Sequence, residues 1–191
     1  MSYTKEDHRD MLDKLVASMR NEFELTGDAG PGVLYTHDDK TTPWHGVFIG
    51  RENLAALGMH VIAATALEAI FKSDAKAVAF VGVISCVPVK GENRNDTARK
   101  AGALVKEYGG DAGGLSEHPD VEVKLIIDYH APNARFLALG AISGVESRDP
   151  KLGEFEIVDC GINVFAREDM GEAPNFFLMA QRLKANNQRT N

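Results

Sequence analysis

"VEVKLIIDYHAPNARFLALGAIS", residues 121–143, holds two strand-length apolar runs separated by the turn residues "APNA". In the first run Val121, Val123, Leu125 and Ile127 occupy alternate positions, a period of two that predicts a half-buried strand. "RFLALGAIS" follows the turn, so the pair reads as an antiparallel hairpin. A third run, "EFEIVDCGINVF", extends it to a meander. Phe155 and Ile157 keep one phase there, while Val158, Cys160, Ile162 and Val164 keep the other. One residue of slip flips the faces of a strand, so the pattern predicts a β-bulge near Ile157–Val158.

Upstream, "KAVAFVGVISCVPV" is a continuous β-branched run and reads as a central strand covered on both faces. A helix over about Asp96–Tyr108 separates it from the hairpin, with Ala101, Leu104, Val105 and Tyr108 on one face, Asp96 as its cap and Gly109–Gly110 as its stop. Strand, helix and strand in that order suggest one βαβ-like crossover. Further upstream, Thr4 and Asp7 form a capping box. Met11, Leu15, Met19 and Phe23 then recur at helical spacing up to Leu25. "GVLYTH" and "WHGVFIG" are two short strands around a polar loop that confines Pro43. Glu52–Lys72 is apolar nearly all round and predicts a helix buried on most sides, in the core or in a subunit contact. A last helix opens with Pro174 and packs Phe176, Met179, Ala180 and Leu183, and residues 187–191 form a frayed tail. The order α-β-β-α-β-α-β-β-β-α predicts an α+β fold: a mostly antiparallel sheet flanked by about four helices.

A chain of 191 residues without a long linker reads as a single domain, residues 1–191. The net charge of −7 argues against nucleic acid as a partner, because phosphate backbones call for clustered cations. The start "MSYTKEDHRD" lacks a secretion signal, and Leu54–Phe71 carries His60, Thr65 and Glu68, so no membrane span is expected. A cytoplasmic protein follows as the expectation. Cys86 and Cys160 lie in apolar runs and read as buried reduced thiols, with a disulfide open if their strands pair.

Three stretches could carry chemistry. The loop "SCVPVKGENRNDTARK" has one glycine and fits neither phosphate-binding glycine pattern. Lys90, Arg94 and Arg99 beside a helix start could hold an anion or a partner, against a capped turn in which Asp96 occupies the amides. "THDDKTTPWHG" gathers His37, Asp38, Asp39 and His45, a ligand-rich set whose spacing matches no recurring metal pattern and is read first as a solvated loop. Trp44, the sole tryptophan, reads as a packing anchor or interface residue. In "DYHAPNAR", Asp128 and His130 share a strand face and would suit acid–base chemistry in a cleft, with Asn133 and Arg135 nearby; the simpler reading is a polar strand end. Ser85–Cys86 looks too buried for a nucleophile, and His8, His60 and His118 are isolated. The sequence points to no cofactor.

With "PWHGVFIG", "NDTARKAGALVKEY" and "FEIVDCGINVFARE" placed in that element order over about residues 5–167, the chain resembles tailed-phage tail-terminator or tail-completion proteins. The helix over 52–72 is additional to that order. The resemblance implies small α/β subunits in a ring that caps the tail tube and joins it to the head, and hence a virion location. The first expectation is therefore a non-enzymatic structural protein that forms homo-oligomers and meets other structural proteins. A small-molecule-binding module of the profilin- or GAF-like sort, and a small enzyme using Asp128 and His130, are the alternatives.

Overall fold

The computed structural model describes residues 3–37, 44–50, 52–53, 59–108, 118–145, 149–161 and 175–189. The hairpin over residues 122–143 is its spine. β4 (Glu122–Ala131) and β5 (Ala134–Ser143) pair in antiparallel register from Val123↔Ile142 to Ala131↔Ala134, leaving Pro132–Asn133 as a two-residue turn. β6 (Lys151–Asp159) continues the meander on one side. On the other, β3 (Ala77–Cys86) pairs with β4, β1 (Gly32–Thr36) with β3, and β2 (His45–Phe48) with β1. The sheet order is β2-β1-β3-β4-β5-β6, and every pairing is antiparallel. Together with α1 (Lys5–Thr26), α2 (Met59–Ser73), α3 (Arg94–Glu107) and α4 (Phe176–Arg189), this is an α+β fold.

Two details correct the sequence reading. The βαβ-like crossover is instead an excursion between antiparallel neighbours, since Cys86 at the end of β3 pairs with Glu122 at the start of β4. The chain leaves and re-enters the sheet at the same end, and α3 lies in that excursion. The bulge sits in β6 but earlier than Ile157–Val158: Gly140 pairs with Phe155 and Ile142 with Leu152, so the extra residue falls at Gly153–Glu154. Gly140 fits this spot because a Cβ there would come within 2.9 Å of Leu152 and 3.0 Å of Phe155. The later part of the predicted third run, from Ile162, lies outside the described residues, as do Gly109–Gly110 and Pro174.

The two sheet faces bury two different cores. On one, α1 lays Met11, Leu12, Leu15 and Phe23 against Leu125, Ile127, Tyr129 and Phe136. Its capping box forms as the sequence implies, with Thr4 accepting from the Asp7 amide and Asp7 from the Thr4 amide. Gly27 ends it at φ 72°, in the left-handed region that glycine enters without strain. On the other face, Ile62, Ala66, Ala69 and Ile70 of α2 join Phe176, Phe177 and Ala180 of α4 over Val33, Val78 and Phe80.

The expectation that the 52–72 helix is buried on most sides needs correction. α2 buries one stripe, while His60, Ala64, Glu68, Phe71 and Lys72 are exposed. The outer face carries His60, Glu68 and Lys72, and three of the helix's four alanines, Ala63, Ala66 and Ala69, lie on or beside the buried stripe. Likewise β3 is covered on both faces only over Ala77–Gly82, and its last four residues emerge. In α4 Leu183 is exposed rather than packed, and the helix runs on to Arg189 through residues expected to fray.

Candidate functional site

At the turn end of the β4–β5 hairpin, Asp128 and His130 project to the α2–α4 face, two apart on one strand, and Arg135 stands directly opposite His130. The guanidinium forks onto the carboxylate, Nε 3.2 Å from Oδ1 and Nη2 3.1 Å from Oδ2. His130 Nδ1 accepts the Phe176 amide at 3.4 Å, which leaves the ring proton on Nε2. That nitrogen faces Asp128 Oδ1 at 3.1 Å but off the line a hydrogen bond needs. The imidazole stacks on the Phe176 ring with centroids 4.2 Å apart. Burial pushes the Asp128 carboxyl up, but His130 and Arg135 outweigh it and hold the group down at about 2.

This cluster brings together three of the four residues singled out in "DYHAPNAR", with different consequences from those of an acid–base pair. His130 is fully buried and Asp128 nearly so. Both imidazole nitrogens face protein groups, and Phe176 covers the ring. A substrate would have to displace the start of α4 to reach the imidazole. The fourth, Asn133, turns away and donates to the Tyr3 carbonyl at 2.8 Å, tying the turn to the approach to α1.

Beside the cluster is a residue the sequence reading missed. Asn175 is fully buried, its Nδ2 donating to the Ala131 and Ala134 carbonyls at 3.0 and 3.3 Å and its Oδ1 accepting the Phe177 amide at 2.9 Å. It caps α4 and grips the two strand ends that flank the hairpin turn. An asparagine just before the apolar start of a helix is a capping signal, but nothing in the sequence couples it to a turn more than 40 residues away.

The loop before α3 is organised by its own side chains. Asn93, not Asp96, is the cap: its Oδ1 accepts the Asp96 amide at 3.0 Å. Asp96 instead accepts the Glu92 amide at 3.1 Å and pairs with Arg99 at 2.7 Å and Lys100 at 2.9 Å. Lys100, then Arg99, then that amide hold its carboxyl far below the usual range. Lys100 also donates to the Lys90 carbonyl at 3.3 Å. The Lys90 side chain is exposed, Arg99 is spent on Asp96, and the Arg94 side chain lies outside the described residues. The turn thus supplies its own anion.

Of the ligand-rich stretch, His37 and His45 meet, with ring centroids 5.1 Å apart, while Asp38 and Asp39 lie outside the described residues. Among the described residues no group of three or more histidine, cysteine or acidic side chains is placed to hold a metal. Trp44 leans to the opposite face, where it is half-buried, packs on the α1-side core and sets its ring 6.0 Å from Tyr129. It borders a groove of about 470 Å³ between α1 and the β1–β2 hairpin, shared with Met19, Leu34 and Phe48.

The thiols are free but half-buried rather than buried. Cys86 pairs with Glu122, and the Cys160 amide donates to the carbonyl of Arg135, the partner of His130. Eight residues of β4 separate those positions, roughly 26 Å, far beyond disulfide reach. Cys160 lies just past β6, and burial raises both thiols, which keeps them protonated and poorly nucleophilic. Among the described residues no helix is long and apolar enough to cross a membrane. No family model, curated protein or solved structure matches the chain.

Proposed function

We propose that the protein is a non-enzymatic structural subunit that assembles with copies of itself through β2. The observation that carries this is the contrast between the two sheet edges. β6 is blunted as edge strands usually are, with Lys151, Glu154, Glu156 and Asp159 exposed and a bulge at Gly153–Glu154. β2 has neither device. Its sequence is HGVF, all four residues are exposed, Val47 by 43% and Phe48 by 74%, and among the described residues it pairs with β1 alone. An apolar edge with no second strand partner among the described residues is a template for another strand.

A second copy fits that edge. Antiparallel pairing of β2 with its own twofold mate sets His45 against Phe48 and Gly46 against Val47, with no acidic or permanently cationic side chain opposed. The exposed Phe48 and the groove behind it add apolar surface to the ladder. The acidic rim of β6 is a poor match for the same strand. A tail-terminator ring is the specific form implied by the resemblance; it would require β2 to meet a different surface of the next subunit. The burial of His130 beneath Phe176 weighs against the enzyme alternative.

Light scattering on tag-free protein at high micromolar concentration tests the proposal. A homo-oligomer is expected, a dimer for twofold pairing and about six subunits for a ring. Phe48→Lys should dissociate it while leaving the circular dichroism spectrum unchanged. A wild-type protein that stays monomeric overturns the reading.

A further inference from the structure

Where β1 ends, three rings gather on the α2 face of the sheet. His45 stands opposite Tyr35 in the strand register, and His37 lies two residues beyond Tyr35. Tyr35 stacks on His45 at 5.5 Å and meets His37 edge-on at 5.3 Å. His37 Nδ1 donates to the Ser73 carbonyl, the last residue of α2. In the neutral form of the ring that bond places the proton on Nδ1, so Nε2 carries the lone pair. Metal-ligating histidines are oriented in this way, with the far ring nitrogen donating to a carbonyl.

The spacing of the two imidazoles is compatible with one shared ion. Rings bound to one tetrahedral ion through bonds of 2.0–2.1 Å have centroids about 5 Å apart. His37 and His45 are 5.1 Å apart with their planes inclined at 60°.

We propose that His37 and His45 form a two-histidine chelate for a borderline divalent transition metal such as Zn²⁺, Ni²⁺ or Cu²⁺. Imidazole donors suit these ions and not the hard cations Mg²⁺ and Ca²⁺. The other coordination positions go to water or to a donor outside the pair. The site would fasten the β1–β2 hairpin to the end of α2, because His37 is held by Ser73 and His45 belongs to β2.

Calorimetric titration of tag-free protein with Zn²⁺ alone tests the site, with Mg²⁺ as the counter-titration. Wild type should bind one Zn²⁺ per chain and no Mg²⁺. His45→Ala removes an exposed side chain and should keep the fold but lose most of that affinity. His60→Ala, an exposed histidine on α2, should bind like wild type. Cu²⁺-loaded wild type should show nitrogen hyperfine structure from two imidazoles in electron paramagnetic resonance. The proposal falls if wild type does not bind Zn²⁺, or if His45→Ala binds as tightly as wild type.

Discussion

Replacing Asn175 tests whether α4 is held to the β4–β5 turn by hydrogen bonding or by apolar contact alone. Asn175→Ala strips a partner from two carbonyls and one amide at a fully buried position. An unsatisfied buried group costs about 1–3 kcal/mol, but the 3.3 Å bond is weak and neighbouring carbonyls relax, so a total near 2–4 kcal/mol is expected. Asn175→Asp is closer in shape and should be worse. It keeps an acceptor for the Phe177 amide, yet it puts a carboxylate oxygen where Nδ2 now lies 3.0 and 3.3 Å from two carbonyl oxygens. That oxygen has nothing to donate, and burying a charge without a donor adds a further penalty. Acidification should narrow the gap, because a protonated carboxyl can donate to one carbonyl. Urea unfolding followed by circular dichroism, at neutral and mildly acidic pH, gives the three stabilities. Hydrogen exchange of the α4 amides shows whether the helix opens before the sheet. An Asn175→Asp variant at least as stable as Asn175→Ala at neutral pH refutes the reasoning.

Two further perturbations probe the α1 core and the turn before α3. Burial, the largest influence, lowers the His8 pKa below its ordinary 6.5, against the opposing pull of Asp7, with the ring bonded to the Tyr129 hydroxyl at 2.8 Å. The unfolded chain therefore protonates first, and stability present above pH 6.5 is lost as pH falls toward the folded value. A second loss begins near 3.8 and runs down to about 2 as Asp128 protonates. Denaturation midpoints should fall with acidification, and His8→Gln should flatten the first limb; a wild-type midpoint constant down to pH 5.5 contradicts this. The second perturbation contrasts two glycines at α3. A Cβ on Gly91 would lie 2.3 Å from the Thr97 nitrogen and 2.6 Å from its hydroxyl, so Gly91→Ala should cost about 1–3 kcal/mol. Gly102 sits inside the helix with open space around it, and Gly102→Ala should stabilise by about 0.5–1 kcal/mol. Equal melting temperatures for the two variants would show that the turn is not close-packed.

The legible parts of this chain were those set by neighbours in sequence. The period-two phase of Val123, Leu125 and Ile127 continues in the structure through Tyr129 and Ala131 into one core, and the Thr4–Asp7 box needs only one turn of helix. What escaped depends on distant residues. A helix between two strands suggested a crossover, but strand direction is decided by which backbone edges meet, and the excursion from Cys86 to Glu122 returns to the end it left. The phase change at Ile157–Val158 marks no bulge, since both residues pair in unbroken register; the bulge lies at Gly153–Glu154, where Gly140 on the paired strand meets Leu152 and Phe155. Asp128 and His130 share a face by spacing alone, but the cover over the ring comes from Phe176, which no local pattern connects to that strand.

The bare edge and the histidine pair share β2 but can be separated, and that separation bears on what the strand is for. Side chains alternate along it, so His45 and Val47 face α2 while Gly46 and Phe48 face the groove beside α1. Phe48→Lys therefore alters the edge on the face away from the imidazoles, and His45→Ala leaves Phe48 and the strand backbone in place. If β2 pairs with a second copy, Phe48→Lys should lower the mass and preserve Zn²⁺ binding. If metal stiffens the hairpin that presents the edge, Zn²⁺ should strengthen assembly in wild type and have no effect in His45→Ala. Assembly indifferent to Zn²⁺ in both proteins would mean that the hairpin is already rigid without the ion, held by the Ser73 contact and the β1 ladder alone.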